Sequence, residues 1–255
     1  MLTGHGLGLS ALEMALRENE PVEAEAVERI AALMRRRLTG ESVARIIGER
    51  EFYGSAFALN RATLEPRPET ELLVDMALDV LPKGGRLLDM GTGTGCIPIS
   101  VLANRADATG VATDLSAEAL AAARGNAERH GVADRLDFRQ GSWFGAVAAA
   151  SRFNLIVSNP PYINSAVVET LSPEVRDFDP RLALDGGPDG LAPYRIIVKE
   201  AGNWLQPDGR VLVEIGRDQG EAVAALFRAA GFGPVAVHKD LNGLDRVVSA
   251  PCLTS

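Results

Sequence analysis

The sequence predicts an α/β protein: a seven-stranded sheet with helices on both faces, preceded by a small helical domain. Three observations carry this. Strand-like and helix-like segments alternate from Arg86 onward, the pattern of a mostly parallel sheet. From Ser10 to about Glu49 the apolar residues instead recur at helical spacing. Between the two, Phe52-Tyr53-Gly54-Ser55-Ala56-Phe57-Ala58-Leu59 reads as one short hairpin with a glycine turn. The expected divisions are residues 1–50, a helical domain; 51–66, a hairpin linker; and 67–255, the sheet domain.

The elements follow in order. Leu9, Leu12 and Leu16, then Val27, Ile30, Ala31, Leu33 and Met34, mark helices that Pro21 separates. Arg35-Arg36-Arg37 suits a helix C-terminus, where the dipole favours cations; a contact with another domain or a partner is the alternative. Thr39-Gly40-Glu41-Ser42 ends that helix and opens the next. Pro66 and Pro68 punctuate the chain before Glu69-Thr70-Glu71 starts another helix. Arg86–Asp89 is the first strand of the sheet and Ala108–Thr113 the second. Ser116 caps a helix to about Arg129, since its hydroxyl can accept the orphan N–H bonds of the first turn. Leu136–Arg139, Phe153–Val157 and Arg210–Ile215 are the third to fifth strands, with Pro207-Asp208-Gly209 as the turn before the fifth. A helix runs from Gln219 to Ala230, then strands Pro234–His238 and Arg246–Ser249. The short Gly243-Leu244-Asp245 connection has no room for a crossover helix, so the last two strands must be antiparallel.

The chain has 255 residues, enough for a sizeable core, and a formal charge of -8, which argues against bulk attraction to a polyanion. Two cysteines, Cys96 and Cys252, supply neither a disulfide framework nor a metal cluster, so no metal is expected. No stretch is long and apolar enough to span a bilayer. The start, Met1-Leu2-Thr3-Gly4-His5-Gly6, lacks the basic flank and apolar run of a signal peptide. A soluble cytoplasmic protein, without membrane association, is the expectation.

Two motifs carry chemistry. Asp89-Met90-Gly91-Thr92-Gly93-Thr94-Gly95 sits where a strand gives way to a helix, and its glycines allow a tight turn and close ligand approach. The glycine spacing is wrong for a dinucleotide fingerprint, and no lysine follows as in a phosphate-binding loop. The acid at the strand end, Asp89, disfavours a pyrophosphate and suits a cation such as an amino group. Asp114, ending the next strand, can accept bonds from both hydroxyls of a ribose. These features fit S-adenosylmethionine better than a nicotinamide. On spacing alone, another nucleotide-binding sheet protein, or glycines serving only packing, stays open. Trp143, in Gln140-Gly141-Ser142-Trp143 after the third strand, offers a flat wall for an adenine or simply a packed loop aromatic.

The second motif, Asn159-Pro160-Pro161-Tyr162, ends the strand Phe153–Val157. Two prolines stop the ladder, and the first biases Asn159 toward an extended backbone. The Asn159 carboxamide oxygen and the Pro160 carbonyl can each accept one hydrogen of a planar NH2 group. An amide nitrogen has its lone pair delocalised into the C=O; two fixed acceptors favour rehybridisation and aim the lone pair at an electrophilic methyl. Tyr162 would line the slot. No base is required before attack, since the proton can leave afterwards. The tetrapeptide alone does not decide among adenine, cytosine and glutamine as the nitrogen's owner, and in isolation it also suits a plain Pro-rich turn.

Taken together, the chain resembles the release factor glutamine methyltransferase family over nearly its whole length. The resemblance rests on Arg67-Pro68-Glu69-Thr70-Glu71, Asp89 through Gly95, Asn159 through Tyr162, and Leu184-Asp185-Gly186-Gly187-Pro188-Asp189-Gly190-Leu191. Glu214-Ile215-Gly216 with Gln219, and Lys239-Asp240-Leu241 with Asp245-Arg246-Val247, extend it. It implies a helical N-terminal substrate-recognition domain, a hairpin linker and a seven-stranded S-adenosylmethionine-dependent methyltransferase domain. The implied acceptor is the side-chain amide (N5) of the glutamine in the Gly-Gly-Gln loop of class I peptide chain release factors. Carried over by position, Asp89, Gly91, Thr92, Gly93, Thr94, Gly95, Asp114, Trp143 and Asn159 would bind the cofactor. Asn159, Pro160, Pro161 and Tyr162 would hold the acceptor, with Asn159, Pro160 and Tyr162 as the catalytic set. Arg67, with Glu69 and Glu71, is expected to line the cofactor or acceptor pocket at the domain junction, or else to be a helix cap with surface charges. Ribosomal-protein glutamine methyltransferases share the tetrapeptide but usually carry a Ser-Pro-containing segment where this chain has Pro68-Glu69-Thr70-Glu71. DNA adenine-N6 methyltransferases need a basic duplex-binding surface that a chain of charge -8 fits poorly, so no stable nucleic-acid binding is expected. A monomer is expected. The chain departs from the family pattern in a short segment ahead of the hairpin, where one or more helices are expected to be missing. Leu64-Glu65 replaces a more apolar approach to Pro66, and Arg45-Ile46 stands where an aromatic is common.

Overall fold

The computed structural model describes residues 1–252; the last three residues of the expected 67–255 domain lie outside the described residues. The chain opens with four helices: α1 (Leu2–Leu7), α2 (Ala11–Leu16), α3 (Ala24–Leu38) and α4 (Val43–Ile47). α2 starts on a reciprocal cap, in which the Glu13 N–H donates to Ser10 Oγ at 3.2 Å and the Ser10 N–H donates to Glu13 Oε2 at 2.8 Å. Ser42 caps α4 by accepting the Arg45 N–H at 3.1 Å. Arg35, Arg36 and Arg37 occupy the last turn of α3, as its dipole favours. Arg36 pairs with Glu41 at 2.6 Å, and Arg37 reaches Glu174 at 3.9 Å. α1 was outside the expected helices because Gly4 and Gly6 are poor helix formers. Its stability is tertiary: a Cβ on Gly6 would fall 2.6 Å from Ile30 Cγ1 of α3, so the two helices meet where glycine leaves room.

β1 (Glu49–Phe52) and β2 (Ser55–Ala58) form the expected hairpin. Tyr53 and Gly54 both have positive φ (51° and 70°), the turn geometry that matches strand twist. Its inner residues Phe52 and Phe57 are buried with ring centroids 6.1 Å apart, and the Phe57 ring lies 4.9 Å from that of His130. The hairpin is thus pinned to the sheet domain.

The sheet strands are β3 (Arg86–Met90), β4 (Thr109–Asp114), β5 (Leu136–Gln140), β6 (Phe153–Ser158), β7 (Leu205–Glu214), β8 (Ala236–Lys239) and β9 (Asp245–Pro251), in spatial order β5-β4-β3-β6-β7-β9-β8. The first five pair in parallel; β9 runs antiparallel to both β7 and β8, as the short connection requires. Alternate residues of each strand feed two cores. One holds Leu87, Ala112, Leu155, Val157 and Leu212 under α5 (Glu71–Val80), α6 (Cys96–Asn104) and α7 (Ala117–Arg129). The other holds Leu88, Met90, Val111, Ile156 and Val213 under α10 (Ala192–Glu200) and α11 (Gly220–Ala229), with the one-turn helices α8 (Ser165–Val168) and α9 (Pro173–Arg176) on the connection from β6. Pro207-Asp208-Gly209 does not precede the fifth strand. Leu205 already pairs with Phe153, and Arg210 with Leu155, so these residues form a bulge within β7, with Asp208 at φ 64°. Among the described residues no helix is long and apolar enough to cross a membrane.

The parallel strands bring the carboxyl ends of β3, β4 and β6 to one edge, with β3 central. Open sheets bind ligands at such an edge, next to the point where strand order reverses. Both chemical motifs end there.

Candidate active site

Strand β3 ends in Asp89-Met90, and the chain then turns through Gly91–Gly95 into α6. The turn is hung on the neighbouring strand: the N–H groups of Gly91 and Thr92 both donate to the Thr113 carbonyl at 2.9 Å. Asp114, at the end of β4, accepts the Gly93 N–H at 2.9 Å on one oxygen and the Ser116 N–H at 2.9 Å on the other. Asn126 of α7 donates to the Thr94 carbonyl at 2.9 Å and accepts the Ala58 N–H at 2.8 Å, tying the loop to the hairpin. Gly95 has φ 78°, and a Cβ there would lie 2.7 Å from Ile99 Cδ1. It sets helix packing and does not line the cavity above it, unlike Gly91, Thr92, Gly93 and Thr94.

That cavity, of about 190 Å³, is completed by Asp114, Trp143, Asn159, Pro161 and Arg67. Asp89 lies beneath it, fully buried; neither of its carboxylate oxygens makes a well-formed hydrogen bond, and the Thr92 hydroxyl beside it favours the charged form without meeting that geometry. Burial pushes the Asp89 carboxyl up to about 7. An orphaned carboxylate in a native core calls for a missing partner, and a cationic amino group is the partner that removes the penalty. Burial also raises the Asp114 carboxyl, whose remaining lone pairs suit hydroxyl donors. Half-buried Trp143 gives the cavity a flat wall, held at φ 49° after Gly141 and Ser142. Cation site, hydroxyl acceptor and aromatic wall together fit an amino-acid-linked nucleoside. Among the described residues no cluster of metal-ligating side chains occurs.

β6 lies beside β3 and delivers the second motif to the same edge. Ser158 Oγ donates to the Met90 carbonyl at 2.7 Å, locking the two strand ends together. Asn159 follows immediately. Its Nδ2 donates to Thr70 Oγ at 3.3 Å, which commits the NH2 end of the amide to the protein and leaves the oxygen as the acceptor. Thr70 is buried in the short 3-10 turn Pro68–Thr70 ahead of α5. Pro160 is buried and lines neither cavity, while Tyr162 lines a second cavity of about 290 Å³. Burial pushes its hydroxyl up to about 12, so it stays a neutral donor. Asn159, Arg67, Leu64 and Ala183 line both cavities, and Glu69, Glu214 and Arg246 line only the second. The two cavities therefore meet at Asn159.

The backbone of the tetrapeptide is clamped from behind. Gln219 Nε2 donates to the Tyr162 carbonyl at 3.0 Å, and its Oε1 accepts the Gly216 N–H at 2.9 Å. The Gly186 N–H donates to the Ile163 carbonyl at 2.8 Å. Gly190, at φ 72°, presses so closely that a Cβ would collide with the Tyr162 carbonyl. The glycine-rich Leu184–Leu191 segment is thus a buttress for Tyr162.

Sequence reasoning missed Thr70 as the partner of Asn159, and missed Asp179. Asp179 is buried and takes Arg45 on Oδ1 (Nη2 at 2.5 Å) and Arg67 on Oδ2 (2.8 Å). Arg45, one of the departures from the family pattern, is thereby joined to the cavity rim. The other, Glu65, is also satisfied while buried: it accepts from Ser42 Oγ at 2.6 Å and pairs with Arg50 at 3.3 Å. An arginine standing for an aromatic was the available signal, since a buried guanidinium demands a carboxylate. Its partner lies 134 residues away in a loop with no pattern of its own.

Comparison with known proteins supplies names for this arrangement. Residues 68–173 match the family model of the methyltransferase small domain, and residues 1–48 that of the PrmC N-terminal domain. A release factor glutamine methyltransferase from Agrobacterium fabrum is 46% identical over 248 residues, covering 95% of this chain and 85% of that one. One from Cereibacter sphaeroides is 47% identical over 249 residues, covering 98% and 88%. A methyltransferase structure from Pyrococcus furiosus superposes with a TM-score of 0.60 at 18% identity, covering 87% of this chain and 98% of that one, a likeness of fold.

Proposed function

The chain belongs to the release factor glutamine methyltransferase family, and from that premise we propose that it transfers a methyl group from S-adenosylmethionine to the side-chain amide nitrogen of the glutamine in the Gly-Gly-Gln loop of class I peptide chain release factors. The observation that carries this reading is the meeting of two cavities at Asn159, one above an orphaned carboxylate, the other walled by Tyr162.

Asp89 would receive the cofactor's ammonium, and Asp114 its ribose hydroxyls. Trp143 would face the adenine. Gly91, Thr92, Gly93 and Thr94 would form the floor, with Gly95 supporting it through packing. Bound there, S-adenosylmethionine supplies a methyl group made electrophilic by a sulfonium. The protein's work on the acceptor side is orientation. Asn159 Oδ1 and the Pro160 carbonyl would each take one hydrogen of the glutamine amide, turning its nitrogen toward the first cavity. Thr70 keeps Asn159 from swinging, Gln219 and Gly190 fix the Tyr162 backbone, and Pro161 and Tyr162 exclude water. Fixed dipoles of this kind act before the charge develops and need no reorganisation during the reaction. Arg67, held by Asp179, would set the width of the opening.

Residues 1–50 would serve as the substrate-recognition domain, 51–66 as the linker and 67–255 as the catalytic domain; the N-terminal family match over 1–48 supports the first division, while the hairpin already starts at Glu49, ahead of the expected linker. The protein would act as a cytoplasmic monomer without stable nucleic-acid binding, in keeping with its charge of -8. Labelled methyl transfer, offered purified release factor, ribosomal proteins and duplex DNA in parallel, tests the assignment. Label should enter release factor alone; label in DNA, or in a ribosomal protein but not in release factor, would overturn it.

A further inference from the structure

Beyond the residues so far given a role, the acceptor cavity contains a second carboxylate at its base. Glu214 ends β7. The parallel register pairs Ser158 with Val213, so the next residues, Asn159 and Glu214, leave neighbouring strands side by side. Glu214 is 2% exposed, lines the cavity with Asn159 and Tyr162, and its Oε2 has no hydrogen-bond partner. It is absent from the cofactor cavity. A buried acid with one oxygen unsatisfied is expensive to keep unless a ligand or a reaction uses that oxygen.

We propose that Glu214 is a catalytic residue on the acceptor side, its Oε2 taking the proton that the amide nitrogen must shed once it has been methylated. The inference rests on the glutamine-methylation reading above and deepens it. As the C–S bond of the donor breaks, the sulfur keeps the bonding pair and the nitrogen lone pair forms the new N–C bond. The nitrogen then carries a positive charge and two hydrogens. One passes to Glu214 Oε2 as a proton, and the N–H electrons return to nitrogen. Sulfonium and carboxylate are thereby both neutralised, leaving an N-methyl amide, a thioether and a carboxylic acid that later yields its proton to water. Asn159 Oδ1 and the Pro160 carbonyl are amide oxygens, too weakly basic to hold that proton. A carboxylate nearby also stabilises the cation as it develops.

The groups facing Glu214 are consistent with a base poised near neutrality. Burial pushes its carboxyl up to about 7, opposed by the Thr70 hydroxyl, the Arg246 guanidinium from β9 and the Asn159 amide, and reinforced by Glu69 on the 3-10 turn. Tyr162 faces it from the β6 loop, and Arg67 from the rim. The Tyr194 hydroxyl of α10 donates to the Glu214 backbone carbonyl at 2.8 Å and not to its side chain. Cys96 of α6 is pushed up to about 12 by burial and remains a neutral thiol. Asp240 is occupied with Arg246 at 3.1 Å.

The test compares wild type, E214Q, E214D and E69Q by kcat against pH, at saturating S-adenosylmethionine and release factor, with cofactor affinity measured by calorimetry. Wild-type kcat should fall as pH drops through about 7, since the carboxylate form is required. E214Q should lose that inflection and ~10²–10⁴ of kcat at pH 8, with cofactor affinity unchanged. E214D should keep the inflection at a lower ceiling, and E69Q should keep it too. If E214Q binds no cofactor because it misfolds, E214D and the wild-type profile decide. An active wild type whose kcat is flat across that range, an E214Q with wild-type kcat, or an E69Q that alone loses the inflection overturns the inference and leaves the function standing. A wild type that methylates no release factor at any pH overturns the function reading, and the inference falls with it.

Discussion

Replacing Asp179 with alanine isolates the contact that joins the N-terminal helices to the rim of the site. Its side chain is 2% exposed and binds Arg45, 7% exposed, through Nε at 3.1 Å and Nη2 at 2.5 Å. Arg45 has only neutral partners otherwise, the carbonyls of Asn60 at 3.1 Å and Thr63 at 2.7 Å. Removing the carboxylate leaves a guanidinium buried without a counter-charge, which costs about 3–5 kcal/mol. For a chain of this length that lowers Tm by on the order of 10 °C. The same carboxylate also holds Arg67 at 2.8 Å, but Arg67 is 39% exposed and rehydrates when released. Arg67→Ala should therefore cost only about 0–1 kcal/mol. Urea denaturation of Asp179→Ala, Arg45→Ala and the double variant forms a cycle, with an expected coupling of about 2–3 kcal/mol at the upper end for contacting residues. If Asp179→Ala stays within about 1 kcal/mol of wild type, the buried-pair reasoning is wrong. An Arg67→Ala as costly as Arg45→Ala would contradict the assignment of the energy to the buried partner.

Three further outcomes follow from the site. Asn159→Ala should lower kcat/KM by ~10²–10³ while the protein still binds S-adenosylmethionine, because one preorganised acceptor bond is lost; an unchanged kcat/KM refutes its role. The raised Asp89 carboxyl holds a proton below about 7 that would have to leave before the proposed ammonium binds. Cofactor affinity should thus rise with pH through about 7 and flatten above it, and calorimetry in two buffers of different ionisation enthalpy should detect the released proton; a pH-independent affinity equal to that of Asp89→Asn would contradict this. The stability of the cofactor-free protein runs with the opposite sign. An acid whose folded value lies above its unfolded one stabilises the fold most when protonated, so this contribution is lost as pH rises from about 4 to about 7. Gly190→Ala should force the Tyr162 carbonyl away from Gln219, lowering kcat without weakening cofactor binding measured by thermal shift; wild-type turnover would show that the buttress does not set the acceptor slot.

The readable parts of the sequence were those whose cause is local. Two prolines after Phe153–Ser158 end a strand wherever they occur, and Gly91–Gly95 after an apolar run makes a strand-to-helix turn. The antiparallel β9 followed from a connection too short to cross over. What escaped was decided at a distance. A helix containing Gly4 and Gly6 is stable only against Ile30, and the Pro207–Gly209 turn sits inside a strand because Leu205 has already paired with Phe153. Glu214 and Gln219 could be recognised as a pattern, but their geometry depends on register with β6 and on the Tyr162 carbonyl. Asp179 carries no periodicity at all; only the burial of Arg45 reveals it.

The most direct measurement is the position of the transferred methyl. Purified release factor, incubated with S-adenosylmethionine and either wild type or Asn159→Ala, is digested and sequenced by tandem mass spectrometry. Wild type should place one added methyl on the side-chain nitrogen of the Gly-Gly-Gln glutamine, and the variant should place little. A methyl on any other residue, or equal methylation by Asn159→Ala, would contradict the proposed function.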